Sequence, residues 1–338
     1  MQESMLKKFK KSDVADKVSL IIALIVLVIL FSVLNTNYFT SRNLMNILMA
    51  CSLMGFVAIA ETYLIIANQI DLSAGSVAAF SSVFAAYLVK MGVSPIIAMI
   101  ITVLAGCIIG VINAATINYL KLQPFIATLA TMSVFRGLAY ILCDGKAIGI
   151  SNASYNKIGS YRIFGVLPIP VLILIIAFIV FGFVLARTYF GRSIYVLGGN
   201  SYAAKLAGLN PKAIIFKLYI ISGAMSALAG ALLAARMNSG QPAAADGLEF
   251  DAVTAAVLGG AAFTGGTGTI FGTLLGMLIL QGFNTGLLML GVQTFWQEVA
   301  KGVLLVVALT FDYFRKLSRT KKELEESKLN KSNLVDQA

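Results

Sequence analysis

The sequence predicts an all-α, polytopic transmembrane bundle of about ten spans, with broken or re-entrant elements and both termini cytoplasmic. Three observations predict it. The 338-residue chain is 59% hydrophobic and 12% charged, with mean hydropathy +0.88, where soluble domains carry about 25% charged residues. Its apolar residues gather in stretches long enough to cross or enter a bilayer. The basic residues between those stretches collect on one side.

Taken in order, the spans fall near 18–34, 44–67, 73–90, 95–119, 125–143, 169–186, 213–235, 252–264, 270–290 and 295–314. The eighth is too short. At about 1.5 Å per residue it covers roughly 20 Å of a 30 Å hydrocarbon core, which predicts a broken or re-entrant element there. No stretch between spans is long enough to bury a core of its own. One membrane domain, 18–314, is therefore expected between a basic arm, 1–17, and a charged tail, 315–338.

An even number of spans puts both termini on one face, and charge chooses the face. Lys7, Lys8, Lys10, Lys11 and Lys17 lie in the arm, and Arg315, Lys316, Arg319, Lys321, Lys322, Lys328 and Lys331 in the tail. With Lys121, Arg187, Arg192, Lys205, Lys212 and Lys217, that face holds about 18 basic residues. The opposite face holds about six: Arg42, Lys90, Lys146, Lys157, Arg162 and Arg236. Positive charge marks the cytoplasmic side, so the protein is expected to be a multi-pass membrane protein with both termini cytoplasmic. The net charge of +11 is divided among loops and tails bordering apolar spans, which argues against nucleic-acid binding. The first span runs into Asn35-Thr36-Asn37 with no small-residue cleavage site, so it is read as an uncleaved span.

Several chemistries lack their residues. There is no histidine, and Cys51, Cys107 and Cys143 have no metal-type spacing, so no metal site is expected and the cysteines read as small packing residues. No G-x-x-x-x-G-K-[ST] occurs, and neither paired carboxylates nor a nucleophile elbow appears. The chain therefore reads as a passage through the bilayer, not an enzyme, with no catalytic residue and no cofactor of its own.

Polar residues inside the spans mark where such a passage could run. Glu61, Arg136 and Lys301 lie within spans, where a charge at a helix centre costs about 2.5–3.5 kcal/mol. Glu61 and Lys301 admit a structural pair or snorkelling, whereas Arg136 is about 16 Å into its span and must face protein or water. The stretch Ile70 to Ser76 breaks one apolar run and restarts another. Asp71 or Ser73 could cap the next helix there, or the break with Gly75 could border a pathway. A second break, Gly259-Gly260 to Gly265-Gly266-Thr267-Gly268, precedes the ninth span, and two interrupted segments point to a translocation route. Small residues at four-residue spacing, Gly268, Gly272 and Gly276, then Gly106 and Gly110, then Ser222, Ser226 and Gly230, predict close helix contacts within this chain or with a second copy.

One loop, 187–212, is unlike the others. Gly198-Gly199-Asn200 is expected to break the chain, Ser201 to Ala207 to form a short helix, and Gly208 and Pro211 to end it. This is either an amphipathic surface helix or the seat of a motor subunit for a chain without an energy source.

At this point the sequence resembles the permease subunits of bacterial ABC importers for ribose and related monosaccharides, in the branched-chain amino-acid and sugar permease superfamily. The likeness runs from Phe39 to Asp312 and rests on six ordered motifs. FTSRNLMNIL (Phe39 to Leu48), IDLSAGS (Ile70 to Ser76) and PFIATLATMSVFRG (Pro124 to Gly137) carry the first half. GRSIYVLGGNSYAAKLAGLN (Gly191 to Asn210), AAVLGGAAFTGGTGTIFGT (Ala255 to Thr273) and WQEVAKG (Trp296 to Gly302) carry the second. The resemblance implies an α-helical permease that pairs with a second permease, takes sugar from an extracytoplasmic binding protein and docks a cytoplasmic ATPase, which binds the ATP and Mg. The docking residues it implies are Gly191, Arg192, Gly198, Gly199, Asn200, Ala203, Ala204 and Gly208, and pathway or gate candidates are Asp71, Ser73, Gly75, Arg136, Gly265 and Gly266. An ATP-independent carrier or channel is the alternative, and a nucleoside or furanosyl signalling molecule the alternative cargo.

Overall fold

The computed structural model describes residues 2–310, with side chains from Lys17 onward. The tail 315–338 and the side chains of Lys7, Lys8, Lys10 and Lys11 lie outside that description. In order come α1 (Gln2–Leu34), α2 (Ser41–Ile66), α3 (Ala74–Lys90), α4 (Pro95–Tyr119) and α5 (Pro124–Leu142). A connection with β1 (Ile148–Gly149), α6 (Ala153–Ser160), β2 (Arg162–Ile163) and β3 (Leu167–Pro168) follows. Then come α7 (Ile169–Arg187), α8 (Tyr189–Gly199), α9 (Ser201–Leu206), α10 (Pro211–Met237), β4 (Ser239–Gly240), α11 (Leu248–Leu258) and α12 (Ile270–Met289). A last helix, α13, begins at 294 and continues to 310.

Local signals explain the boundaries. Proline opens α4, α5 and α10 at the position where its missing N–H is not needed. The Oγ1 of Thr40 and of Thr269 accepts from the N–H of Asn43 and of Gly272, at 3.3 and 3.0 Å, starting α2 and α12. Asn238, left-handed at φ 55°, stops α10.

Seven helices among the described residues are long and apolar enough to cross a bilayer: α1, α2, α4, α5, α7, α10 and α12. The fold is a helical membrane bundle with four two-residue strands at its edge. The remaining crossings are irregular. Helix α3 has 17 residues, and α11 has 11, or about 16 Å of helix.

Helices α2 and α10 form the buried centre. Gly106 and Gly110 of α4 lie on the α10 backbone at Gly223 and at Tyr219–Ile220, and Gly230 lies on the Ala78 carbonyl of α3. Gly272 and Gly276 lie on α11 at Gly259 and Ala255, and Gly268 meets Ile66 and Ala261. A Cβ at any of these would collide with a neighbour, so each small-residue stripe has its partner inside this chain. The Thr62 and Thr273 hydroxyls, 2.6 Å apart, tie α2 to α12.

Contacts divide the ends of the bundle into two faces. Ile66, the 187–212 element and the loop before Ile270 meet on one, which we call the loop face. Leu34, Met289, Asn238 and the β1–β4 pair lie on the other, the hairpin face, where Asn35 donates to the Met289 carbonyl at 2.9 Å. Ala308 near the end of α13 packs with Ile65, Val257 and Ala261 on the loop face. Helix α1 reaches the hairpin face with its C-terminus.

Candidate functional site: two interrupted segments and the element beneath them

The first interruption follows Ile66. Asn68 turns the chain at φ 58°, and residues 69–73 fold back into the bundle instead of leaving it. Asp71 is fully buried. Its Oδ1 accepts from the Ser73 N–H at 3.0 Å and the Ser73 hydroxyl at 2.5 Å, and its Oδ2 accepts from the Ser222 hydroxyl at 2.7 Å. Asn113 of α4 donates to the Ser73 hydroxyl at 2.9 Å, and the Tyr219 hydroxyl donates to the Ile70 carbonyl at 2.8 Å. Ser222 stands 11 residues into α10, so this knot lies about 16 Å along that helix.

Ser73 occupies the N-cap position of α3 without a side-chain capping bond, and Asp71 accepts from Ser73 itself instead of from the first helical turn. Asp71 thus fastens the interrupted segment directly to α10 and, through Ser73, to α4. Asp71→Asn keeps one acceptor oxygen and is expected to retain most uptake, because the Ser222 or the Ser73 bond survives. Asp71→Ala strands three hydroxyl and amide donors, each at about 1–3 kcal/mol, and is expected to reduce uptake strongly. Uptake by membranes with matched protein levels separates the two. A null Asn variant would show that the charge itself is required.

The second interruption follows Asn238. The chain descends beside α3, with Gly240 against Ser82 and Val83 and the Gln241 N–H donating to the Ser82 hydroxyl at 3.3 Å. It reaches Gly75, where a Cβ would collide with the Ala245 carbonyl and the Glu249 carboxylate. Gly75 is about 22 Å from the far end of α3, so the loop has penetrated deeply before α11 begins. The expected break at 252–264 is therefore a composite: a turn-rich descent over 238–247 and the short α11 to the loop face.

Helices α3 and α11 thus start inside the protein with their first turns in contact. Both starts carry the positive end of a helix dipole. Three buried carboxylates surround them: Asp71, Glu249 in the first turn of α11, and Glu61 of α2, which interacts electrostatically with the other two. Glu61 and Glu249 have no side-chain hydrogen-bond partner among the described residues, and the Ser76 and Ser226 hydroxyls have none there.

Two intramembrane cations hold this junction. Arg136 of α5 donates to the Pro242 and Ala244 carbonyls at 3.0 and 2.8 Å and lies 3.6 Å from Asp246. Lys301 of α13 bridges Asp251 of α11 and Glu298, each at 3.1 Å. Asp246 is 83% exposed beside Arg136, with Ser133 and Phe250 open on the same flank. A charged, open side chain at this depth is incompatible with hydrocarbon, so the flank faces water or protein.

The 187–212 element differs from its expectation in one respect. Gly198 and Gly199 remain helical at the end of α8, and the break falls at Asn200, whose side chain caps α9 through the Tyr202 and Ala203 N–H groups, both at 2.9 Å. The reason is contact. Gly198 lies on the Ile66 carbonyl and beside Gly266, so the absence of a side chain seats α8 on the bundle, while a Cβ on Gly199 would meet open space. Gly191 packs on the Val184 and Leu185 carbonyls, Ala204 is fully buried, and Gly208 turns the chain at φ 77°. Arg192 and Ala203 are exposed, with Tyr189, Val196, Tyr202 and Leu206 also facing outward.

The same element touches both interruptions. The Gly266 N–H donates to the Ile66 carbonyl at 2.8 Å, Gly265 lies against Gly198 and Asn68, and the Tyr195 hydroxyl donates to the Gly268 carbonyl at 2.7 Å. Gly265 and Gly266 therefore lie at the seat of α8, at the opposite end of α11 from Gly75 and Arg136. Glu249, Asn113 and the descent over 238–247 carried no motif of their own, and Ser222 stood out only within a small-residue stripe; Glu249 alone could have been suspected, as an acid between Asp246 and Asp251 at the start of an apolar run.

A bundle with two interrupted segments meeting at its centre, and an outward-facing helical element beneath both, is the architecture of a membrane transport subunit. The chain belongs to the family described as branched-chain amino acid transport system / permease component, which matches residues 43–309. It is 39% identical over 308 residues to ribose import permease protein RbsC of Bacillus subtilis (strain 168), covering 90% of this chain and 95% of that protein. It is 36% identical to L-arabinose ABC transporter permease protein AraH of Azospirillum brasilense, covering 87% of each. It is 35% identical to D-allose transport system permease protein AlsC of Escherichia coli (strain K12), covering 88% of this chain and 91% of that protein. No solved structure matches the chain significantly. It is a multi-pass bacterial inner-membrane protein and a permease component.

Proposed function

We propose that this chain is the membrane-spanning permease subunit of an ATP-driven importer that carries a monosaccharide, a ribose-like pentose or a hexose, into the cytoplasm. The observation that carries the reading is near end-to-end similarity to import permeases named for ribose, L-arabinose and D-allose. The open face of α8 and α9 would seat a cytoplasmic ATP-binding cassette subunit, which binds the ATP and Mg. The opposite face would receive an extracytoplasmic sugar-binding protein. The flank bearing Ser133, Arg136, Asp246 and Phe250 would border the pathway, closed on its other side by a second permease copy.

The α8 seat supports a coupling route. A shift of α8 on Ile66 and Gly266 would act at once on the end of α2 and on the loop that ends α11. Through those two segments it would reach the junction at Gly75, Asp71 and Glu249, turning motor closure into alternating exposure.

Reconstitution with the ATPase and the binding protein tests this. Uptake of ribose, arabinose, allose, xylose or galactose is expected to require ATP and both partners. Uptake without ATP would overturn the importer reading. Uptake of a nucleoside or a furanosyl signalling molecule, with none of the sugars carried, would overturn the substrate class alone.

A further inference from the structure

We propose that the β2–β3 hairpin is a membrane-interface anchor, in which Phe164, flanked by Tyr161 and Val166, seats in the headgroup and upper acyl region of the leaflet on the hairpin face. The hairpin pairs Arg162 with Pro168 and Ile163 with Leu167, and Phe164 and Gly165 turn it at φ 52° and 72°. A turn with two positive φ values prefers Asn-Gly or Gly-Gly. A phenylalanine there is unfavourable for the backbone and contributes nothing to closing the turn, and its side chain is 97% exposed. Tyr161 and Val166 are exposed beside it.

What covers the tip follows from its attachment. The hairpin runs directly into α7, and the Ile169 N–H at the start of that helix donates to the Tyr161 carbonyl at 3.1 Å. Helix α7 is a lipid-facing span: most of its apolar window is unburied, and Ile175, Ile176 and Ile179 point outward. The base of the hairpin is thereby held at the end of a span, at the edge of the hydrocarbon. Phe164 lies two residues beyond the Arg162–Pro168 pair, about 7 Å away at strand rise. The polar layer of a bilayer is about 5–8 Å thick on each side, so the tip has the reach to stay within it. Aromatic residues concentrate in that layer, and exposed Arg162 and Lys157 match the phosphates found there.

Trp296 is the only tryptophan in the chain, so Trp296→Phe gives a silent background. Phe164→Trp in that background, with the purified permease in nanodiscs of phosphatidylethanolamine and phosphatidylglycerol, places a reporter at the tip. The expected result is blue-shifted emission, quenched by lipids brominated high on the acyl chain and little affected by aqueous iodide. Val166→Trp, a milder position, is expected to behave the same way. Red-shifted emission quenched by iodide at both positions would overturn the proposal. So would iodide quenching relieved only by adding the sugar-binding protein, which would assign the tip to that partner.

Discussion

Gly198→Val is expected to lower uptake, and the amount of assembled permease, by about tenfold or more, while Gly199→Val leaves the permease in the membrane at its normal level. The two glycines are adjacent, yet their surroundings are opposite. A Cβ at 198 would run into the Ile66 carbonyl and the Gly266 backbone, and neither can yield as the end of a flexible side chain would. Overpacking of this kind costs about 1–3 kcal/mol, and about 1.4 kcal/mol already amounts to a tenfold shift in an equilibrium. The collision also forces apart Ile66 and Gly266, breaking the 2.8 Å bond that joins the two interrupted segments. A Cβ at 199 meets nothing within van der Waals contact. Any loss in Gly199→Val is therefore expected in ATPase co-purification, since the added bulk projects from the open face of α8. Ala204→Leu is expected to resemble Gly198→Val, because Ala204 is fully buried. Permease levels in membranes and co-purified ATPase are the two measurements. Equal permease loss in both glycine variants would refute the division of labour at this seam.

How far the molecule could be read from its sequence follows the range of the forces involved. The spans were legible because hydrophobic length is a local property: α4, predicted near 95–119, runs from Pro95 to Tyr119. The shortfall in the eighth span was also legible, since α11 cannot cross alone. Arg136 stood out because a deep charge needs a partner wherever the chain folds. Its partners, the Pro242 and Ala244 carbonyls, were invisible, as a backbone acceptor more than a hundred residues away has no sequence signature. Asp71 could be singled out but not assigned, because its Ser222 bond depends on the parallel packing of α3 and α10. Gly198 was misjudged as a breaker for the same reason. Glycine in isolation favours a break, but here it permits contact with Ile66, and that packing outweighs the roughly 1 kcal/mol penalty of glycine within a helix. Glu249 shows the limit most plainly, since it packs on Gly75 at the start of another helix, a contact with no signature in the sequence.

Arg136→Ala is expected to abolish most uptake, with Arg136→Lys intermediate. The guanidinium gives two charge-assisted bonds to loop carbonyls from one planar group, and hydrogen bonds to charged groups are worth about 1.5–3 kcal/mol each. The Asp246 pair adds little, because its carboxylate is open to solvent. Alanine leaves the Pro242 and Ala244 carbonyls without their donor, and it frees the turn-rich segment that positions α11. The displaced segment carries Ala245 and Glu249, which pack on Gly75, so the start of α3 loses its lid of carboxylate at the same time. Both bonds come from the one nitrogen Nη1, so lysine's ammonium keeps the charge and enough donors, but its shorter stem meets the two carbonyls at longer distance. Asp246→Asn is expected to be mild, which separates loss of the loop tether from loss of the ion pair. Reconstituted uptake at matched permease levels measures the three variants. Normal uptake by Arg136→Ala, or a probe at 136 reporting hydrocarbon exposure in the assembled complex, would sink the tether.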